Sequence, residues 1–479
     1  MLCKQCGTQI TKQDKRSDGY YKCPGCGRLY RTKASAGSSK DKNRAESAIA
    51  RKLGYGNLRW LVLAAAAAAL VLIAVVVRVF AFGGGEDRPA SSVAATIAPT
   101  IAPTIAPTIE ATAEQTEAPT ATPTAAPTAT PEPMEEVSVH FRAAGDVMSH
   151  KLQLTHAKQS DGSYNYDSQF AGVKEALSKA DYTIVNLELS IATNKEYSSF
   201  PFFRTPEAIL ATLKDCGVDM FTMANNHILD GFWDGLTHTI DKVEEYGFDH
   251  VGAYRTAEEA QQPLVIDIKG IKFGFLAYTL DVNDNDKRIG SDKAAFCVKR
   301  LAGADFKADV QALRDAGAEV VICLPHWGNE GKRTVANSCK KYAEEMVNAG
   351  VDIILGSHPH VVLPINAGPM EVNGEKKDVL IAWSMGNFIS YMDTQYMDSG
   401  IIVDFTVTRD ETGKISIHDV GYVPVYVAGN TRYFRLVCSG DYYKSRPQGM
   451  TDEDYRRLKQ SVSEISSMID QKDIVMLQN

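Results

Sequence analysis

Between Gly83 and Glu136 the chain has no aromatic residue, and Arg88 is the only basic one. The segment is built from Ala, Thr, Pro and Glu, with the repeat TIAPTIAPTIAPT and later TPTAAPTATPEP. Such a composition cannot offset the entropy of ordering by burying a core, which excludes a globular domain there and predicts an extended, partly polyproline stalk. A disulfide framework is lacking too. The five cysteines beyond residue 26 (Cys216, Cys297, Cys323, Cys339, Cys438) are scattered singly in odd number, so buried thiols are expected. Gly83-Gly84-Gly85 is a linker rather than a phosphate loop, because neither a strand nor a lysine frames it.

Charge is distributed unevenly. Residues 1–59 carry 14 Lys and Arg against 4 Asp and Glu, so that region is +10 and the remainder must be -18 to give the net -8. The basic residues stop at Arg59, where Trp60–Val77 begins a run of 18 residues without a charge, and after Arg78 the apolar character continues to Phe82. About 20 apolar residues span a hydrocarbon core as a helix, and Arg78 can snorkel to the interface. The alternatives are a buried core helix or a signal peptide. The position behind nearly sixty residues favours an uncleaved, single-pass anchor over residues 60–82. Lys40, Lys42, Arg44, Arg51, Lys52 and Arg59 make residues 33–59 a basic juxtamembrane segment, which places the N-terminus in the cytoplasm and everything past the stalk outside the cell membrane. This compartmental reading also makes nucleic acid an unlikely partner for the basic arm.

Cys3-x2-Cys6, sixteen residues, then Cys23-x2-Cys26 has the spacing of a four-thiolate zinc ribbon over residues 1–32, with Gly7, Gly25 and Gly27 permitting tight knuckle turns. So small a module needs bound zinc to supply folding free energy. A redox pair or a rubredoxin-like iron site has similar spacing.

Beyond Val137 apolar runs alternate with amphipathic stretches: VSVHFRAAG, YTIVN, VDMFTMA, the pair LVIDI and IKFGFLAY, EVVICLP and VDIILG. These predict strands buried on both faces in an α/β domain over residues 137–440. DVLIAWS, GIIVDFTV and ISIHDVGYVPVYV have no helices between them and read as antiparallel additions, and residues 441–479 read as a charged helical extension.

Residues able to hold a metal recur just after these strands, where ligand sites of α/β sheets lie. Gly145-Asp146 follows the first, Asn186-Leu187-Glu188 the second, and Asn225-Asn226-His227 the third. His326-Trp327-Gly328-Asn329-Glu330, Gly356-Ser357-His358-Pro359-His360 and Ser384-Met385-Gly386-Asn387-Phe388 come later. Carboxylates with imidazoles suit a first-row divalent ion, and Pro359 stiffens the backbone between His358 and His360. Trp327 and Phe388 read as pocket walls and Cys323 as a structural thiol, while His150 is near enough to Asp146 to be relevant.

The motif order GD, NLE, NNH, HWGNE, GSHPH, SMGNF resembles the CapA family of poly-γ-glutamate capsule synthesis proteins over Val137 to Tyr426, about 290 residues. The resemblance implies a metallophosphoesterase-like sandwich of two mixed sheets flanked by helices. It implies Asp146 as a first-metal ligand, Glu188 as a bridging carboxylate, Asn226, His326 and His358 on a second metal, His360 pointing to the first, and His227 as the catalytic proton donor. Asn186, Asn225, Glu330, Ser384 and Asn387 match family positions without an implied role. Met148 stands where phosphoesterases of this fold carry a histidine ligand, so the cofactor is one or two divalent ions, with His150 as a displaced substitute. Implied partners are the membrane, an anionic polymer or cell-envelope substrate, and other capsule-synthesis membrane proteins.

Two functions follow from these residues. One is a metal-dependent hydrolase or transferase acting on phosphoryl or acyl groups. The other is a non-catalytic component that handles an anionic polymer, for which an acidic domain would need a locally basic groove near Arg204 or Lys332.

Overall fold

In this computed structural model the described residues are 135–478, apart from 195, 393, 430–433 and 439–444, together with a few positions before residue 31. The chain divides into two compact units, Met1–Thr122 and Pro123–Asn479. In the first, Tyr21–Lys22 and Leu29–Tyr30 pair as antiparallel strands on either side of the second Cys-x2-Cys stretch. The four ribbon cysteines, the apolar run 60–82 and the stalk up to residue 134 lie outside the described residues. Among the described residues no helix is long and apolar enough to cross a membrane.

The second unit alternates strand and helix as its apolar runs predict. Strands β1 (Val137–Val147), β2 (Tyr182–Leu187), β3 (Met220–Thr222) and β4 (Asp249–Val251) pair in parallel, with helices α1 (Ala208–Asp215) and α2 (Phe232–Glu245) in the last two crossovers. An antiparallel hairpin follows, β5 (Leu264–Ile268) and β6 (Ile271–Thr279). Then β6, β7 (Val320–His326) and β8 (Ile353–Leu355) run in parallel through helices α3 (Phe306–Asp315) and α4 (Asn337–Ala349). Asp305 caps α3 by accepting from the Ala308 N–H at 3.0 Å, and α4 ends on Gly350 in the left-handed conformation, φ 110°.

The hairpin β9 (Ile365–Val372) and β10 (Glu375–Ala382) completes a six-stranded sheet of order β9-β10-β8-β7-β6-β5. β10, expected as an antiparallel addition, is antiparallel only to β9 and lies parallel to β8. β5 is a half-buried edge strand rather than a core strand, because a single neighbour covers it.

The chain then returns to the first sheet. β11 (Asn387–Ile389) pairs in parallel with the end of β1 on the side opposite β2, and on that same side β12 (Ser399–Arg409), β13 (Ile415–Gly429) and β14 (Phe434–Cys438) extend the sheet antiparallel. Its order is β14-β13-β12-β1-β2-β3-β4. Helix α5 (Asp452–Ser466) buries Leu458, Val462 and Ile465, and β15 (Val475–Met476) pairs with β13, so the C-terminal extension is part of this body.

The two sheets face each other. Val320, Ile322 and Leu324 of β7 join Val139, Phe141 and Phe405 in the shared core, while Val321 and Cys323 point to the α3 and α4 side. Phe141 of one sheet meets Phe273 of the other edge-on at 4.8 Å. The architecture is therefore the sandwich of two mixed sheets flanked by helices that the motifs imply. Trp327 and Phe388, read from sequence as pocket walls, are instead fully packed core side chains, since the apolar layers extend to the strand ends. Cys216, Cys297, Cys323 and Cys339 are free and buried, and burial raises the Cys323 thiol far above its usual range, which suits packing and not nucleophilic attack.

One polar cluster ties β1 to β12. Asp404 accepts from Arg142 Nε at 2.6 Å and lies 2.9 Å from His140 Nε2. The hydrogen bond to Asp404 raises the His140 pKa above its ordinary value, against the effect of burial. A group whose folded pKa is raised contributes stability that is present below the unfolded value, about 6.5, and lost as pH rises through the folded one. The difference in melting temperature between the parent and His140→Gln is expected to be larger at pH 6 than at pH 9. Equal differences at the two pH values would show that the pair contributes no proton-linked stability.

Candidate metal centre

Every expected metal-binding side chain lies at the C-terminal end of a strand, at the same edge of the sandwich. Asp146 is the penultimate residue of β1, and the pairing of β1 with β2 skips Gly145, so a bulge there sets the direction of the carboxylate. Asn186 lies near the end of β2 and Glu188 just beyond it, Asn225 to His227 follow β3, His326 ends β7, and His358 and His360 follow β8. His358 and His360 hold φ of 94° and 58°, left-handed conformations that cost about 1–3 kcal/mol each and persist where the surroundings impose them.

These side chains converge into two donor groups. Glu188, His326 and His358 form one, and Asp146, Glu188 and His360 the other, all five residues buried and the ligand atoms of each group within 4.8 Å of one another. Glu188 belongs to both. Its Oε1 lies 3.6 Å from His326 Nε2 and 3.7 Å from His360 Nε2. Asn226 Oδ1 is 2.8 Å from His326 Nε2, and His358 Nδ1 is 3.1 Å from the same atom. On the other side Asp146 Oδ2 and Asn387 Oδ1 are each 3.0 Å from His360 Nδ1.

A second layer holds these groups in place. Asn186 Nδ2 donates to Asp146 Oδ1 at 2.8 Å, and Asn225 Nδ2 donates to Asn186 Oδ1 at 3.2 Å and to the Leu187 carbonyl at 2.8 Å. Ser357 Oγ, 2.8 Å from His326 Nδ1, turns that ring so that Nε2 faces Glu188 and Asn226.

The electrostatics show a cluster short of positive charge. Burial, reinforced by the Asp146 carboxylate, pushes the Glu188 carboxyl well above the usual carboxylate range. Burial and the neighbouring imidazoles push His326 well below its usual value, and burial followed by His360 lowers His358. His360 is also opposed by burial, yet its hydrogen bond to Asp146 holds it above the ordinary value. Glu188 Oε1 is buried with no hydrogen-bond partner. A buried carboxyl oxygen with no hydrogen-bond partner, set among imidazole nitrogens and a second carboxylate, is costly unless a cation occupies the space, so the residues fit a divalent ion.

His227 stands beside this cluster. Its Nδ1 is 2.7 Å from Asp230 Oδ2, and its backbone N–H donates to Asn225 Oδ1 at 3.1 Å. Asp230 is fully buried, accepts from the Phe203 N–H at 2.6 Å, and is raised by burial against the opposing effect of His227. The sequence reading stopped at Asn225-Asn226-His227 and missed Asp230. Its signal was present in the next residues, because an acid three positions after a histidine can reach the ring within one turn.

Other expected positions behave differently. Ser384 Oγ accepts from the Gly386 N–H at 3.2 Å and serves the turn before β11. Glu330 is exposed and acts on Glu188, His358 and His360 through its charge alone. Met148 is fully buried, and its backbone is held by the Ile389 carbonyl at 2.9 Å. His150 joins neither donor group: its ring packs edge-on against Phe203 at 4.9 Å, and burial lowers its pKa to about 4.

Comparison with known proteins agrees with the motif order. The chain is 26% identical over 297 residues to the PGA biosynthesis protein CapA of Bacillus subtilis (strain 168), covering 59% of this chain and 72% of that protein. It is 26% identical over 259 residues to the capsule biosynthesis protein CapA of Bacillus anthracis, covering 51% and 58%. Among solved structures, the calcineurin-like phosphoesterase YfkN of Bacillus subtilis aligns with a TM-score of 0.38 at 15% identity, covering 70% of this chain and 100% of that one. The NAD nucleotidase of Haemophilus influenzae aligns with a TM-score of 0.39 at 14% identity, covering 72% and 64%. A family profile described as bacterial capsule synthesis protein PGA_cap matches residues 140–392, more than half of the chain, and the chain belongs to that family.

Proposed function

We propose that the chain is a membrane-anchored accessory protein whose outer domain acts, with one or two divalent ions, in synthesis or export of an anionic capsule polymer such as poly-γ-glutamate. Family membership supports the polymer. The cationic juxtamembrane segment and the apolar run 60–82 support the anchor and a cytoplasmic N-terminus, and the Cys3, Cys6, Cys23, Cys26 spacing supports a zinc ribbon there. The single observation that carries the site's role is Glu188, one buried carboxylate common to two donor groups.

Asp146, Glu188 and His360 would hold one ion, and Glu188, Asn226, His326 and His358 a second. When bound, such ions act as Lewis acids on a carbonyl or phosphoryl group. The protein's own contribution is to fix these donors through Asn186, Asn225 and Ser357 and to present His227 with its Nδ1 anchored on Asp230.

A hydrolytic reading, with phosphoesters or γ-glutamyl amides of the cell envelope as substrates, is favoured by that His227–Asp230 pair. An imidazole oriented by a buried carboxylate is the arrangement a proton donor to a leaving group requires. The test is polymer yield from cells carrying the parent chain, His358→Ala or His227→Ala, with the purified domain assayed on γ-glutamyl oligomers and phosphoesters. His358→Ala is expected to abolish polymer. A catalytic His227 predicts a loss of about a hundredfold in turnover for His227→Ala. Full polymer yield with His227→Ala would leave polymer handling without catalysis as the function, and full yield with His358→Ala would remove the metal site from it.

A further inference from the structure

Residues 200–204, Phe-Pro-Phe-Phe-Arg, take no part in the donor groups, yet they border them. Phe203 packs edge-on against the His227 ring at 4.7 Å, and Phe200, 69% exposed, lies 6.5 Å from Phe203. Arg204 Nε donates to the Asp230 carbonyl at 3.1 Å, which fixes its guanidinium beside the His227–Asp230 pair. That guanidinium lies 5.8 Å from the Phe202 ring centre and 5.5 Å from that of Phe232. Arg288, from a distant part of the chain, reaches the same two rings at 5.7 and 5.3 Å. Phe232 holds a φ of 55°, a conformation a bulky residue adopts where the surrounding structure imposes it.

Neither guanidinium forms a close ion pair among the described residues, although the Arg204 charge acts on the buried Asp230 carboxyl beside it. Two acids close to Arg288 in sequence are engaged elsewhere: Asp284 pairs with Lys287 at 2.8 Å and Asp286 with Arg300 at 3.1 Å. Two unpaired guanidiniums on one aromatic pair, in a chain of net charge -8, are a local reversal of sign next to the reaction site. Guanidiniums stacked on rings keep their in-plane N–H groups free for bidentate bonds to oxyanions. The adjoining exposed ring face suits aliphatic carbon.

We infer that Phe200, Phe202, Arg204, Phe232 and Arg288 form a subsite that grips a polycarboxylate chain, the arginines taking carboxylates and the rings taking the methylene spacers between them. This deepens, and rests on, the polymer reading above. Oxyanions also occur on phosphate chains, but those lack the apolar spacers the rings would cover. The subsite would feed consecutive carboxylates past His227 and gives the acidic domain the basic groove an acidic polymer requires. Sequence pointed to Arg204 and could not pair it with Arg288, which is 84 residues away.

The test is binding of fluorescently labelled poly-γ-glutamate to the full chain in detergent, measured by anisotropy with EDTA present so that no metal bridges the two. Inorganic polyphosphate of matched charge is the competitor. Arg204→Gln/Arg288→Gln is expected to weaken polyglutamate binding about tenfold or more, the equivalent of one charge-assisted hydrogen bond. Phe200→Ser should weaken it to a lesser extent, and polyphosphate should compete poorly. Should the double variant misfold, Arg288→Gln alone carries the test, because that exposed side chain makes no hydrogen bond in the described structure. Unchanged binding by the folded variants overturns the subsite, and polyphosphate competing on equal terms overturns its assignment to a carboxylate chain. Loss of binding with normal polymer yield in cells would overturn the capsule role while leaving the subsite intact.

Discussion

Replacing Glu188 with Gln is expected to remove bound metal from both donor groups at once. The carboxylate is the one ligand common to them, and an amide offers a neutral oxygen in place of a charge that both ions would share. His358→Ala removes a ligand from one group and His360→Ala from the other, so each single histidine variant should retain more metal than Glu188→Gln. Elemental analysis of the purified domain after dialysis reads this directly. The parent should hold about one to two ions per chain, Glu188→Gln essentially none, and the histidine variants intermediate amounts. Stability in chelator should move the other way. Without a cation, Glu188 Oε1 is a buried carboxylate oxygen with no partner, a group that costs stability, and Gln fills the same volume without charge. Glu188→Gln should therefore melt no lower than the parent in EDTA, and added metal should raise the parent's melting temperature alone. Equal metal content in parent and Glu188→Gln would mean that the two groups are not one bridged centre.

Much of this centre was legible because its ligands sit where strands end. The apolar runs YTIVN, EVVICLP and VDIILG have the length and composition of buried parallel strands, and each is followed within two residues by a side chain of the donor groups, Glu188, His326 and His358. Strand ends in such sheets share an edge, so side chains 180 residues apart in sequence, such as Asp146 and His326, could be assigned to one site without knowing the pairing. What could not be read was anything set by packing between layers. Trp327 and Phe388 lie inside the metal-binding motifs, and only the apolar neighbours supplied by other strands make them core rather than pocket wall. The parallel pairing of β10 with β8 was hidden for a related reason. Its connection from β8 is a loop and a hairpin, where a helix would normally announce a parallel crossover. Arg288 escaped because its role arises from orientation toward Phe232, which no local spacing encodes, whereas Asp230, three residues after His227, was within reach of a local pattern.

Gly145→Ala is expected to damage fold and site together. A Cβ at this position would lie 1.9 Å from the Gly386 carbonyl oxygen and 3.0 Å from its carbon, and both obstacles are backbone, so no rotamer change relieves the overlap. The segment around Gly386 would have to withdraw from β1. That movement breaks the hydrogen bond from the Asp146 N–H to the Gly386 carbonyl, 3.1 Å, and the pairing of Asn387 with Asp146. Asn387 Oδ1 and Asp146 Oδ2 are the two oxygens that hold His360 Nδ1, so the clash is transmitted to a metal-binding histidine. A loss of about 3 kcal/mol in unfolding free energy, the upper part of the range for overpacking a tight interior, should accompany reduced metal content. Gly235→Ala is the control. It lies within α2, its added Cβ would meet nothing nearer than the Ser190 Cβ at 3.9 Å, and an alanine in a helix is favoured by about 0.5–1 kcal/mol. Urea unfolding of the two variants should place them on opposite sides of the parent. A Gly145→Ala protein that matches the parent in midpoint and metal content would mean that β11 can leave β1 without cost, and that Asp146 is positioned by β2 and Asn186 alone.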